Sequence, residues 1–147
     1  MSGSPKRGER KKKNAAFNLA SELPLRILIA EDNVINQKLL ISILEMLGYT
    51  STAVFDGNEV LDQVKKETFD LILMDIQMPE MSGEATATQL HELLKETRPK
   101  IIAVTAYAMD GDREKYLRAG MDGYISKPFR IEELVTEIRR VMKGEKG

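Results

Sequence analysis

The sequence predicts an α/β fold, a doubly wound five-stranded parallel sheet with helices on both faces. Three observations carry this expectation. Short apolar runs of strand length recur at 25–30, 71–74 and 100–105, and runs apolar at nearly every position are those of strands buried on both faces. Stretches with helical apolar spacing separate them, which is the pattern of βαβ units. Each run also ends in a polar side chain, Glu31-Asp32, Asp75 or Thr105. In an open parallel sheet the strand ends meet along one edge, where ligands and chemistry collect.

Taken in order, residues 1–22 are polar and charged without a convincing period, so residues 1–23 read as a tail or linker and 24–147 as the domain. Leu25 to Ala30 is the first strand, closed by Glu31, Asp32 and Asn33. Asn33 is a helix cap, and Ile35, Leu39, Leu40, Ile43, Leu44 and Leu47 recur at helical spacing until Gly48 ends the helix. Residues 49–54 are strand-prone, Asp56-Gly57 is a turn, and Asn58 to Lys66 is a short helix with Val60, Leu61 and Val64 inward. Leu71 to Met74 is the third strand and places Asp75 at its carboxyl end. Pro79 cannot continue it, and Ser82-Gly83 turns into a helix from Glu84 to Glu96, apolar at Ala87, Leu90, Leu93 and Leu94. Pro99 breaks that helix before the strand from Lys100 to Thr105. Asp112 to Ala119 is a polar helix closed by Gly120, and the fifth strand lies around Tyr124-Ile125. The last helix, Ile131 to Met142, turns Leu134, Val135, Ile138, Val141 and Met142 inward.

At 147 residues and 42% apolar content, the chain suits one domain with a tail. It has no cysteine, which excludes disulfides and thiolate metal sites, and one histidine, which excludes a multi-histidine zinc centre. No apolar run reaches the length of a membrane span and no signal peptide opens the chain, so a cytoplasmic protein is expected, with no membrane contact by this domain. Lys6, Arg7, Arg10, Lys11, Lys12 and Lys13 stand against the single acid Glu9, so the rest of the chain carries the negative excess. Without an amphipathic stripe, this basic run reads as a solvated linker, with no nucleic-acid partner expected. His91, beside Glu92 on a helix too short to be a phosphodonor bundle, reads as a surface residue.

Four strand ends thus bring Glu31 and Asp32, Asp75, Thr105 and Lys127 to one crevice. With Met78-Pro79, Gly83, Ala106, Tyr124 and Pro128-Phe129, these residues resemble the receiver domain of two-component response regulators. The resemblance covers about residues 25–143. It implies a sheet order of 2-1-3-4-5 and makes Asp75 the phosphoacceptor. It further implies Mg²⁺ held by Glu31, Asp32, Asp75 and the backbone carbonyl of Gln77, with Lys127 and Thr105 on the phosphoryl oxygens. Thr105 and Tyr124 would form a conformational switch, and the Lys127-Pro128 bond would be cis. The residue chemistry agrees. A carboxylate can take a phosphoryl group as an acyl phosphate, Mg²⁺ prefers carboxylates and phosphate oxygens, and lysine meets phosphate as a point charge. The expected partner is a histidine kinase or a histidine phosphotransfer protein.

The string Glu-Asp-Asn-Val-Ile-Asn-Gln at 31–37 resembles receivers of hybrid histidine kinases, although Asn33, Asn36 and Gln37 also suit simple helix-start chemistry. A stand-alone single-domain regulator is the alternative. Gln77 and Tyr107, beside the phosphoryl path, are candidates for tuning its lifetime. A phosphoacceptor switch, not a turnover enzyme, is expected. An aspartate-nucleophile phosphatase would want an acid two residues after the nucleophile, where Gln77 stands. A flavodoxin-like FMN binder would want a hydroxyl- and glycine-rich loop where Glu31-Asp32 stands, and that acidic loop repels phosphate in the absence of a metal.

Overall fold

A computed structural model describes residues 18–106 and 112–144. The elements in order are α1 (Leu19–Glu22), β1 (Ile27–Ala30), α2 (Val34–Met46), β2 (Ser51–Val54), α3 (Gly57–Lys66), β3 (Leu71–Asp75), α4 (Gly83–Leu94), β4 (Lys100–Thr105), α5 (Asp112–Arg118), β5 (Gly123–Ser126) and α6 (Ile131–Lys143). The strands form one sheet in the order β2-β1-β3-β4-β5, and every neighbouring pair is parallel.

Successive strand residues point to opposite faces, and the core divides accordingly. Ile27, Ile29, Leu71, Leu73, Ile102 and Val104 pack with Leu40, Leu44, Leu134 and Ile138 of α2 and α6. Leu28, Ala30, Ile72, Met74, Ile101 and Ala103 pack with Val60, Val64, Ala87, Leu90 and Tyr116 of α3, α4 and α5. β1 and β3 are buried along their whole length, as helices on both faces require. The helix starts follow from local chemistry. The side chains of Asn33, Asp56 and Ser82 accept the backbone N–H groups of Asn36, Glu59 and Ala85.

Two expectations are corrected. The helical spacing of α2 sets Ile35 and Leu39 in one series with Leu40, Ile43, Leu44 and Leu47, but Ile35 and Leu39 are 76% and 57% exposed. The burial falls on Leu40, Ile43 and Leu44 instead, so α2 carries a second, unburied apolar stripe. The other correction concerns the start of the domain. The basic run and most of the tail lie outside the described residues, but residues 19–23 are part of the fold. Leu19 is buried in the α2–α6 core, the Ala20 N–H donates to the Leu47 carbonyl at 3.0 Å, and the Tyr49 hydroxyl donates to the Leu23 carbonyl at 2.7 Å. Glu22 accepts from Arg139 at 2.8 Å and Lys143 at 2.6 Å on α6. A single four-residue turn shows no period, and its partners lie far along the chain, so the sequence pattern could not reveal it. Leu19→Ala is expected to lower the unfolding free energy by about 2–3 kcal/mol in urea denaturation. A loss below about 0.5 kcal/mol would place α1 outside the cooperative unit.

Candidate functional site

The carboxyl ends of β1, β3 and β4, with the residue following β5, open into a cleft of about 270 Å³. It is lined by Glu31, Asp32, Asn33, Asn36, Asp75, Gln77, Thr105, Ala106 and Lys127. Six of the seven residues expected at the site are therefore brought together. One carboxylate oxygen from each of Glu31, Asp32 and Asp75 lies within 4.8 Å of the others. Glu31 is 1% exposed and Asp75 8%, whereas Asp32 faces solvent.

Each acid is held by its own element. Glu31 follows β1, and its N–H extends the sheet by donating to the Val54 carbonyl at 3.1 Å. Its carboxylate accepts from Lys127 Nζ at 2.8 Å and from the Asn33 N–H at 3.2 Å. Asp75 ends β3 and accepts the Gln77 N–H at 3.1 Å. Gly83 permits this arrangement: its N–H donates to the Ile76 carbonyl at 2.9 Å, and a Cβ there would fall 2.6 Å from the Asp75 carbonyl oxygen. The Lys127 N–H donates to the Thr105 carbonyl at 2.7 Å, joining the ends of β4 and β5, and the Lys127-Pro128 bond is cis.

Burial, together with the adjacent Glu31 carboxylate and a hydrogen bond shared with it, pushes the Asp75 carboxyl up to about 7, while the Gln77 N–H and Lys127 pull in the opposite direction. Three acids set this close to a single lysine leave excess negative charge. A hard cation that takes carboxylate oxygens fits this donor set.

Tyr124 is not part of the cleft lining. It lies opposite Ala103 in the β4–β5 register, so it shares a sheet face with Thr105, and its ring stacks on Tyr116 of α5 at 5.3 Å. Its N–H donates to Glu137 Oε2 at 2.8 Å, and Arg140 bonds the same carboxylate at 2.7 Å. Glu137 was missed by the pattern reading. The available signal was an acid on the inward stripe of α6, three residues before Arg140. His91 is only part-exposed and bonds the Gly120 carbonyl at 2.7 Å, a structural contact. Tyr107 lies outside the described residues.

The pattern of the response regulator receiver domain matches residues 27–139. The chain belongs to that family. Among relatives of this receiver, the signal transduction histidine-protein kinase BarA of Escherichia coli K12 is 38% identical over 84% of the chain, which spans 14% of that kinase. The polar-differentiation response regulator DivK of Brucella anthropi is 38% identical over 80% of the chain and 95% of its own length. Thus the receiver spans about one seventh of the kinase and nearly all of the regulator.

Solved structures of other receiver domains share its fold. The receiver domain of sensor histidine kinase PA1611 from Pseudomonas aeruginosa PAO1, with a magnesium ion coordinated in its active site cleft, has a TM-score of 0.73 and 37% identity, covering 81% of this receiver and 98% of that chain. The Saccharomyces cerevisiae Ssk1 receiver domain, crystallised with the histidine phosphotransfer protein Ypd1, has a TM-score of 0.73 and 30% identity, covering 81% and 89%. Among the described residues no helix is long and apolar enough to cross a membrane.

Proposed function

We propose that this receiver accepts a phosphoryl group from a phosphohistidine onto Asp75. The observation that carries the reading is the triad of carboxylates within 4.8 Å beside Lys127. A Mg²⁺ held by Glu31, Asp32, Asp75 and the Gln77 carbonyl would supply charge neutralisation and orient the phosphoryl oxygens. The chain's own residues do the rest. An Asp75 carboxylate oxygen attacks phosphorus, the P–N bond to the histidine breaks, and its electron pair returns to the ring nitrogen. Lys127 moves from Glu31 to a phosphoryl oxygen, and the Thr105 hydroxyl donates to another. The displacement of Thr105 is then sensed by Tyr124 on the same sheet face, which requires its stack on Tyr116 to open. The receiver is a switch and not a turnover enzyme, since Gln77 offers no general acid two residues after Asp75. A cytoplasmic location accords with a phosphohistidine donor. The experiment is incubation with acetyl phosphate. One acid-labile phosphate per chain is expected with Mg²⁺ and none with EDTA, and labelling that ignores EDTA would overturn the assignment of the cleft.

The donor is a histidine kinase or a histidine phosphotransfer protein, and the surface beside the cleft supports this. An apolar groove of about 350 Å³, lined by Leu39, Leu40, Ile43, Pro128 and Phe129, shares Asn36, Ala106 and Lys127 with the cleft. A protein that brings a histidine to Asp75 must cover this rim. Leu39→Glu is expected to slow transfer from a phosphorylated histidine phosphotransfer protein about tenfold, leaving labelling by acetyl phosphate unchanged. Equal slowing of both donors would remove the groove from the docking surface.

A further inference from the structure

We propose that Gln37 is a positioning residue for the acidic cleft, fixing the backbone from which Glu31 and Asp32 project. The inference rests on the metal-binding reading above, yet its geometry is independent of any ion. Gln37 closes the first turn of α2 and is only 8% exposed. Its side chain leans back toward the start of the helix, as helical side chains do. Nε2 donates to the Val54 carbonyl at 2.9 Å and to the Glu31 carbonyl at 3.3 Å. The Val54 carbonyl also accepts the Glu31 N–H at 3.1 Å. One amide thus joins the end of β2, the residue after β1 and the body of α2. The Glu31 backbone is held through both its N–H and its C=O.

The cleft needs such a clamp. Glu31, Asp32 and Asp75 repel one another, and the turn at 31–32 is the part able to swing outward because Asp32 already faces solvent. Its place in the fold leaves few alternatives to glutamine. A lysine would bring a fixed cation to compete for the acids, and a glutamate would add a fourth negative charge facing two carbonyl oxygens. A neutral side chain with two N–H donors holds both carbonyls and leaves the charge balance of the cleft unchanged. Groups that orient metal ligands without touching the ion typically alter affinity by about 10–100-fold when removed.

Gln37→Met keeps the side-chain volume and removes both donors. Two readouts are needed. In metal-free protein, hydrogen exchange at the Glu31 N–H is expected to accelerate at least about tenfold, with β4 and β5 amides unchanged. In Mg²⁺ titrations followed by amide chemical shifts, the dissociation constant should rise about tenfold or more. Gln37→Asn, one methylene too short to span both carbonyls, should lose affinity similarly. Mg²⁺ affinity within twofold of wild type would overturn the proposal, as would faster exchange spread evenly over the sheet, which marks a merely structural role. Wild-type protein alone also tests it, since a Glu31 amide exchanging as fast as open loops has no clamp. If wild type fails to bind Mg²⁺ at all, the reading of the cleft falls instead, while exchange at Glu31 still decides what Gln37 holds.

Discussion

Asp75→Asn is expected to abolish phosphoryl uptake from acetyl phosphate and, in metal-free buffer at pH 8, to make the domain more stable. Uptake is lost with the attacking carboxylate oxygen, and the stability gain follows from removing a buried charge. Asp75 is 8% exposed and its carboxyl is pushed up to about 7 by burial and by Glu31. The unfolded chain loses that proton near pH 4, but the folded chain keeps it until about 7. Between those values the native state binds more protons than the unfolded state, so stability falls as pH rises. At pH 8 the full cost of the buried charge is present. Asparagine keeps the shape and carries no charge, so most of that cost disappears. Urea denaturation at pH 5 and pH 8 provides the test, with wild type less stable at pH 8 and the variant nearly level. A variant that still took up one acid-labile phosphate would show that another residue is the nucleophile. A variant less stable than wild type at pH 8 would show that the acids do not repel as described.

Addition of Mg²⁺ is expected to reverse the balance. At a hundredfold excess over its dissociation constant, the ion should stabilise wild type by about 2.7 kcal/mol. The binding is pH-dependent because ligands must be deprotonated. Below about pH 7 the ion competes with the Asp75 proton, and the apparent affinity should rise with pH by up to about tenfold per unit. Above that value it should level off. In Asp75→Asn the slope should vanish and affinity should drop, since one of three carboxylates is gone. Thermal shifts at pH 6, 7 and 8 with and without millimolar Mg²⁺ measure both effects. The same shift at all three values would mean that the ion binds away from Asp75.

The two predictions depend on a cleft whose members were readable but whose charge state was not. Glu31, Asp32, Asp75, Thr105 and Lys127 could be assigned because each terminates a segment with a clear pattern, and parallel topology sends all such ends to one edge. The sheet order came from the resemblance to receivers, and the two-sided core from the alternation within each strand. The assignment failed where spacing was uninformative. Ile35 and Leu39 have the same period as Leu40 and Leu44, and no local rule says which stripe of α2 meets the sheet.

The sequence by itself therefore determined the element types from β1 onward, the edge where the polar residues gather and the receiver family, because period, caps and strand ends are local signals. Only the tertiary structure decided that α1 is clasped by Tyr49, Arg139 and Lys143, that Glu137 holds the backbone of Tyr124, and that Gln37 pins the Glu31 turn. It also decided that the Asp75 carboxyl is pushed up, which depends on burial and on the nearness of Glu31 and Lys127. Lys127 and Glu31 stand 96 positions apart in sequence and 2.8 Å apart in space. Contacts of that kind are set by the packing of whole elements, and a linear pattern has no term for them.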